Sequence, residues 1–150
     1  FVLLETNITT QVSPGVLDGL LESFVSVSNS LLKKNYSHYI GWYDSSLGTM
    51  RVEAVSSIEH LMSLMEILMQ IEMKTQKELP VLGTIPPCSH LVYITSEMGD
   101  FKMQLGNQST HVTMLYCQKS LMDQEKAVNK SGVVVFTPEG MKEDLHQLII

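Results

Sequence analysis

The stretch FVLLETNITT, residues Phe1–Thr10, decides the expected architecture. Phe1 to Leu4 is a fully apolar run without alternation, which reads as a central strand covered on both faces; a half-exposed strand would alternate. The run stops at Glu5, after which oxygen-bearing side chains recur at Thr6, Asn7, Thr9 and Thr10. A buried strand that ends on spaced oxygen ligands is where several α/β folds place a metal or phosphate site. The opening therefore sets both a fold class and a place to look for function.

Working outward, Ser13-Pro14 supplies an N-cap followed by proline at the first helical position, and Val16, Leu17, Leu20, Leu21, Phe24, Leu31 and Leu32 recur at helical spacing. A helix over 14–33 follows. YSHYIGWYDS and TMRVEAV, joined by the turn SSLG, read as a hairpin. Ser56 with Glu59 forms a capping box for a second helix over 57–76, carried by Ile58, Leu61, Met62, Leu64, Met65, Leu68 and Ile71. HLVYIT (90–95), HVTMLYC (111–117) and GVVVF (132–136) are further strands. SLMDQEKAVN is a short helix, and Thr137-Pro138 caps a last helix carrying Met141, Leu145, Leu148 and Ile149. This near-alternation implies one α/β domain over 1–150, a module of a longer protein. Its sheet is mainly parallel with helices on both faces and an antiparallel edge hairpin.

Composition removes several function classes. With 10 Lys and Arg against 16 Asp and Glu, net charge −6, and Arg51 as the single arginine, no basic stripe exists to neutralise nucleic-acid phosphates. No apolar run reaches the ~18 residues that span a bilayer, so membrane insertion is not expected. Cys88 and Cys117 lack any CxxC spacing and read as two thiols rather than a zinc site or disulfide framework. His38, His60, His90, His111 and His146 form no HxH or HExxH pattern, and GxGxxG, GxxxxGK[ST] and GxSxG are all absent. Four of the five asparagines, Asn7, Asn35, Asn107 and Asn129, begin Asn-x-Ser/Thr sequons. Glycan acceptors in a secretory compartment and turn residues in an intracellular protein are both open readings.

In an open parallel sheet, ligands bind beyond the carboxyl ends of the strands where strand order reverses. Two polar loops fit that place: Glu5 to Thr10, and Thr95 to Asp100. The element order and these loops resemble the von Willebrand factor A-like domain, a Rossmann-like fold, over nearly the whole chain. That family ends its first strand in Asp-x-Ser-x-Ser, which coordinates Mg²⁺, and a later strand near Thr-Asp-Gly. The matching positions here are Glu5, Asn7 and Thr9, with Thr95, Ser96, Glu97 and Gly99 near the second. Glu for Asp and an amide for a hydroxyl spoil the near-octahedral geometry that Mg²⁺ demands, so the resemblance implies a degenerate site built on Glu5, Asn7, Thr9, Glu97 and Asp100, with no metal or other cofactor. A fainter resemblance, to the Asp-x-Asp-x-Thr motif of haloacid-dehalogenase-type phosphatases, fails because Asn7 cannot shuttle a proton.

The expected function is a non-catalytic protein–protein interaction module whose partner is another protein. The proline-rich connection LPVLGTIPPC offers Leu79, Val81, Leu82 and Ile85 as partner-binding residues, or as core that seals the second helix against the sheet. Two alternatives stand beside it: an enzyme using paired carboxylates around Glu5, Glu97 and Asp100 on a metal or as acid and base, and a glycosylated secreted or receptor ectodomain.

Overall fold

A computed structural model describes residues 1–6, 12–70, 86–97, 111–119 and 132–141. The described elements are β1 (Val2–Leu4), α1 (Pro14–Lys33), β2 (His38–Asp44), β3 (Thr49–Val55), α2 (Ile58–Met69), β4 (His90–Thr95), β5 (His111–Cys117) and β6 (Val133–Phe136). The strands form one sheet in the order β3-β2-β1-β4-β5-β6. Every neighbouring pair is parallel except β2 with β3, so the antiparallel hairpin lies at the edge, as expected.

Side-chain parity along β1 divides the core. Val2 and Leu4 join Ile40, Trp42, Val92, Ile94 and Leu115 on one face, packed against Val16, Leu20, Phe24 and Val27 of α1 and Leu61, Leu64, Met65 and Leu68 of α2. Phe1 and Leu3 pack with Leu91 and Tyr93 on the other face, flanked by Met50, Val52, Val112 and Met114. The unbroken apolar run is thus explained, because both sets of β1 side chains are buried. Both described helices cover the first face. The short helix expected over SLMDQEKAVN lies outside the described residues, as does the last helix beyond Met141, so the expected second helical layer is not described.

Local chemistry fixes the element ends. α1 closes in a Schellman motif: the Asn35 N–H donates to the Leu32 carbonyl and the Tyr36 N–H to the Leu31 carbonyl, both at 2.9 Å, with Asn35 in the left-handed region at φ 59°. Those bonds occupy 35 and 36, which is why β2 starts at His38 rather than at Tyr36. α2 is capped by Ser57, whose hydroxyl accepts from the His60 N–H at 3.2 Å, so the expected Ser56–Glu59 box is one residue out of register. The described helix runs to Met69, with the Gln70 N–H bonding the carbonyls of Ile67 and Leu68; the expected continuation over 71–76 lies outside the described residues. In the hairpin turn the Asp44 carboxylate accepts from the Ser46 N–H at 2.9 Å and the Ser46 hydroxyl at 2.5 Å, and Gly48 takes φ 66°. After β6, the Thr137 hydroxyl accepts from the Gly140 N–H at 3.1 Å; the helix that Thr137-Pro138 is expected to cap lies beyond Met141, outside the described residues.

Candidate functional site at the carboxyl edge of the sheet

From β1 the chain adds strands in one direction, to β2 and β3, and from β4 in the other, to β5 and β6. The reversal falls between β1 and β4, which are hydrogen-bonded neighbours with Leu4 opposite Ile94. One residue further on, the Glu5 N–H still donates to the Ile94 carbonyl at 2.9 Å. The two polar loops picked out in the sequence therefore do start side by side.

At this edge the Thr95 hydroxyl, fully buried, donates to Oε2 of Glu5, and the Tyr93 hydroxyl bonds the same carboxyl group. Tyr93 and Thr95 stand two apart on β4 and so share a face, the one that holds Leu3 and, by the same parity, Glu5. Burial pushes the Glu5 carboxyl above its ordinary range, with the nearby Glu97 adding to the rise and the two hydroxyls opposing it. Burial also raises the Tyr93 phenol, and Glu5 raises it further. Thr95 Oγ1 in turn accepts from the Glu97 N–H at 2.9 Å and lies 3.1 Å from the Glu97 carbonyl. One hydroxyl proton cannot serve both the Glu5 carboxylate and that carbonyl.

The buried polar atoms without a hydrogen-bond partner among the described residues gather at the same end. They are Nε1 of Trp42 in the carboxyl half of β2, Oγ of Ser96 just past β4, and both amide atoms of Gln118 just past β5. Gln118 is 4 % exposed, and its N–H anchors it to the Phe136 carbonyl at 3.0 Å. The parallel register of β4 and β5 sets Thr95 opposite Tyr116, so Ser96 and Gln118 leave adjacent strands within two residues of each other's level. Sequence reasoning missed Tyr93, Trp42 and Gln118. The first two sit in apolar strands where only a hydroxyl or an indole N–H betrays them, and Gln118 shows no signal beyond its place after a strand.

Of the sequence candidates, Glu5 and Glu97 come together here, whereas Asn7, Thr9 and Asp100 lie outside the described residues, as do Leu79, Val81, Leu82 and Ile85 and the sequons at Asn7, Asn107 and Asn129. Among the described residues no three His, Cys, Asp or Glu side chains converge as a metal would need. Neither Cys88 nor Cys117 forms a disulfide, and burial, aided by Glu139, pushes the Cys117 thiol up to about 12, an inert state. At the opposite end of the sheet, register brings His90 beside His111 with ring centroids 4.8 Å apart, and His90 Nε2 is 2.9 Å from the Thr113 hydroxyl. No described helix is long and apolar enough to cross a membrane. No protein-family model matches the chain, and no curated protein matches it.

Proposed function

We propose that the chain is a Rossmann-like, von Willebrand A-like module that binds another protein at the carboxyl edge of its sheet, without catalysis and without a metal. One observation carries the reading: the half-buried Glu5 carboxyl is engaged by the Thr95 and Tyr93 hydroxyls rather than left free for a ligand. A metal-bridged or nucleophilic role needs that oxygen exposed and ionised, and burial biases it the other way. The reversal of strand growth beside β1 and the antiparallel edge hairpin support the family resemblance. The unpartnered Ser96 hydroxyl and Gln118 amide support the location, since a partner that supplies their missing atoms gains the hydrogen bonds the chain lacks.

The test is capture from the native source by immobilised chain, comparing the natural sequence with Ser96→Val and Gln118→Met at this edge and Tyr39→Ala at the far end of the sheet. Loss of one captured protein in the edge variants alone is the expected result. Equal capture by all four ends the reading.

A second reading draws on the raised Glu5 carboxyl, because an acid pushed above its ordinary range by burial is suited to general acid or base chemistry. Glu5→Gln separates the two. An amide keeps the shape and one hydrogen bond, so partner capture survives, whereas proton transfer does not.

A further inference from the structure

At the end of the sheet away from Glu5, where α1 stops and β2 begins, lies an open groove of about 440 Å³. Asn35, Tyr36 and Ser37 line it, and so do Tyr39 and Ser56. The first three residues are the sequon Asn35-Tyr36-Ser37, so the acceptor amide and the groove are one feature.

Three observations make this sequon usable in the folded protein. The backbone of Asn35 is committed to ending α1, but its side chain is exposed and takes no part in the Schellman bonds. Ser37, whose hydroxyl completes the motif, is exposed as well. A glycan added before folding therefore stays outside the core when α1 packs onto the sheet. The third observation is the groove's character. Tyr36 and Tyr39, both lining it, are 56 % and 45 % exposed, so their rings are open to a ligand. Flat aromatic faces beside hydroxyls suit a pyranose, whose C–H face is apolar and whose rim is polar.

We propose that Asn35 carries an N-linked glycan and that the groove seats its reducing-end sugars against Tyr39. In the transfer, Nδ2 of Asn35 bonds to C1 of an oligosaccharide carried on a lipid pyrophosphate. The C1–O bond breaks with its electron pair leaving on the pyrophosphate, and the amide gives up one proton to the transferase. No oxidation is involved. The glycan stands at the opposite end of the sheet from Glu5, so it leaves the carboxyl edge open to a partner.

Glycopeptide mass spectrometry decides the attachment: protein purified from its native source and treated with an amidase in ¹⁸O water should show Asn35 converted to labelled Asp. Unmodified Asn35 in that material overturns the proposal. For the seat, the chain is secreted from eukaryotic cells as the natural sequence and as Ser37→Ala and Tyr39→Ala. Ser37→Ala should abolish occupancy at residue 35 while leaving the Schellman end of α1 intact. Tyr39→Ala should keep occupancy but raise the rate of native-state deglycosylation severalfold. Equal rates with and without Tyr39 overturn the seat.

Discussion

The hydroxyl of Ser28, inside α1, donates to Nε2 of His38 on β2 at 2.6 Å, and both side chains are buried. The direction follows from the other ring nitrogen: Nδ1 lies 3.0 Å from the Tyr36 carbonyl, which only accepts, so Nδ1 carries the proton and Nε2 is the acceptor. Helix and sheet are thereby stitched by a neutral imidazole. Ser28→Ala leaves Nε2 buried without a donor and should cost about 1–3 kcal/mol in urea unfolding at pH 7.5. Burial also holds His38 below its ordinary 6.5. Its contribution is present above that value and is lost as pH falls through the depressed folded value. His38→Gln should flatten this limb of the stability profile.

Glu5 runs in the opposite sense. Its folded value is raised above the ordinary 4.5, so its contribution is complete below 4.5 and is lost as pH rises through the folded value. Glu5→Gln removes that titration. The variant should therefore gain on the natural sequence as pH rises above 4.5 in thermal melts. A profile that is parallel for both proteins would show that Glu5 ionises freely.

The same carboxyl governs metal affinity. A cation at the strand end has to displace the Thr95 and Tyr93 hydroxyls, and burial disfavours the ionised carboxylate it needs. Calorimetric titration with Mg²⁺ or Mn²⁺ should show no specific heat at millimolar metal. Micromolar binding abolished by Glu5→Ala would overturn this.

The central strands β1 and β4 were legible because burial on both faces leaves an uninterrupted apolar run, and Leu4 gives way to Glu5, and Thr95 to Ser96, where that cover ends. Their adjacency followed from the alternation of elements. What the sequence did not reveal is pairing across elements. Ser28 and His38 stand ten positions apart in unlike elements, and Tyr93 looks like any other core aromatic in HLVYIT. The one-residue slip at the α2 cap has a local cause: Ser56 and Ser57 are equivalent in pattern, and only the extended backbone of Ser57 aims its hydroxyl at the His60 N–H.

Two glycines of left-handed backbone should respond unequally to alanine. Gly48, at φ 66° in the hairpin turn, has open space where a Cβ would go. Its replacement should cost only the conformational strain, about 1–2 kcal/mol. Gly132, at φ 83° before β6, would place a Cβ 2.9 Å from the Val112 carbonyl, a backbone atom that cannot step aside while β5 and β6 stay paired. Gly132→Ala should therefore be the more destabilising in equilibrium unfolding.

Gln118 sets stability against binding. Its amide is buried with neither the oxygen nor the nitrogen paired among the described residues, a state that costs about 1–3 kcal/mol relative to an apolar group of the same shape. Methionine matches the length and flexibility of glutamine and has no donor to leave unpaired. Gln118→Met should thus raise the isolated domain's stability by about 1 kcal/mol. If the carboxyl edge binds a protein partner through this amide, the same variant should weaken that complex by about tenfold or more, because the partner's own polar atoms then face a thioether. The two measurements, thermal unfolding and partner affinity, move in opposite directions only when the unpaired amide serves recognition. A variant that is more stable and binds unchanged would make Gln118 a packing residue and move the interface elsewhere.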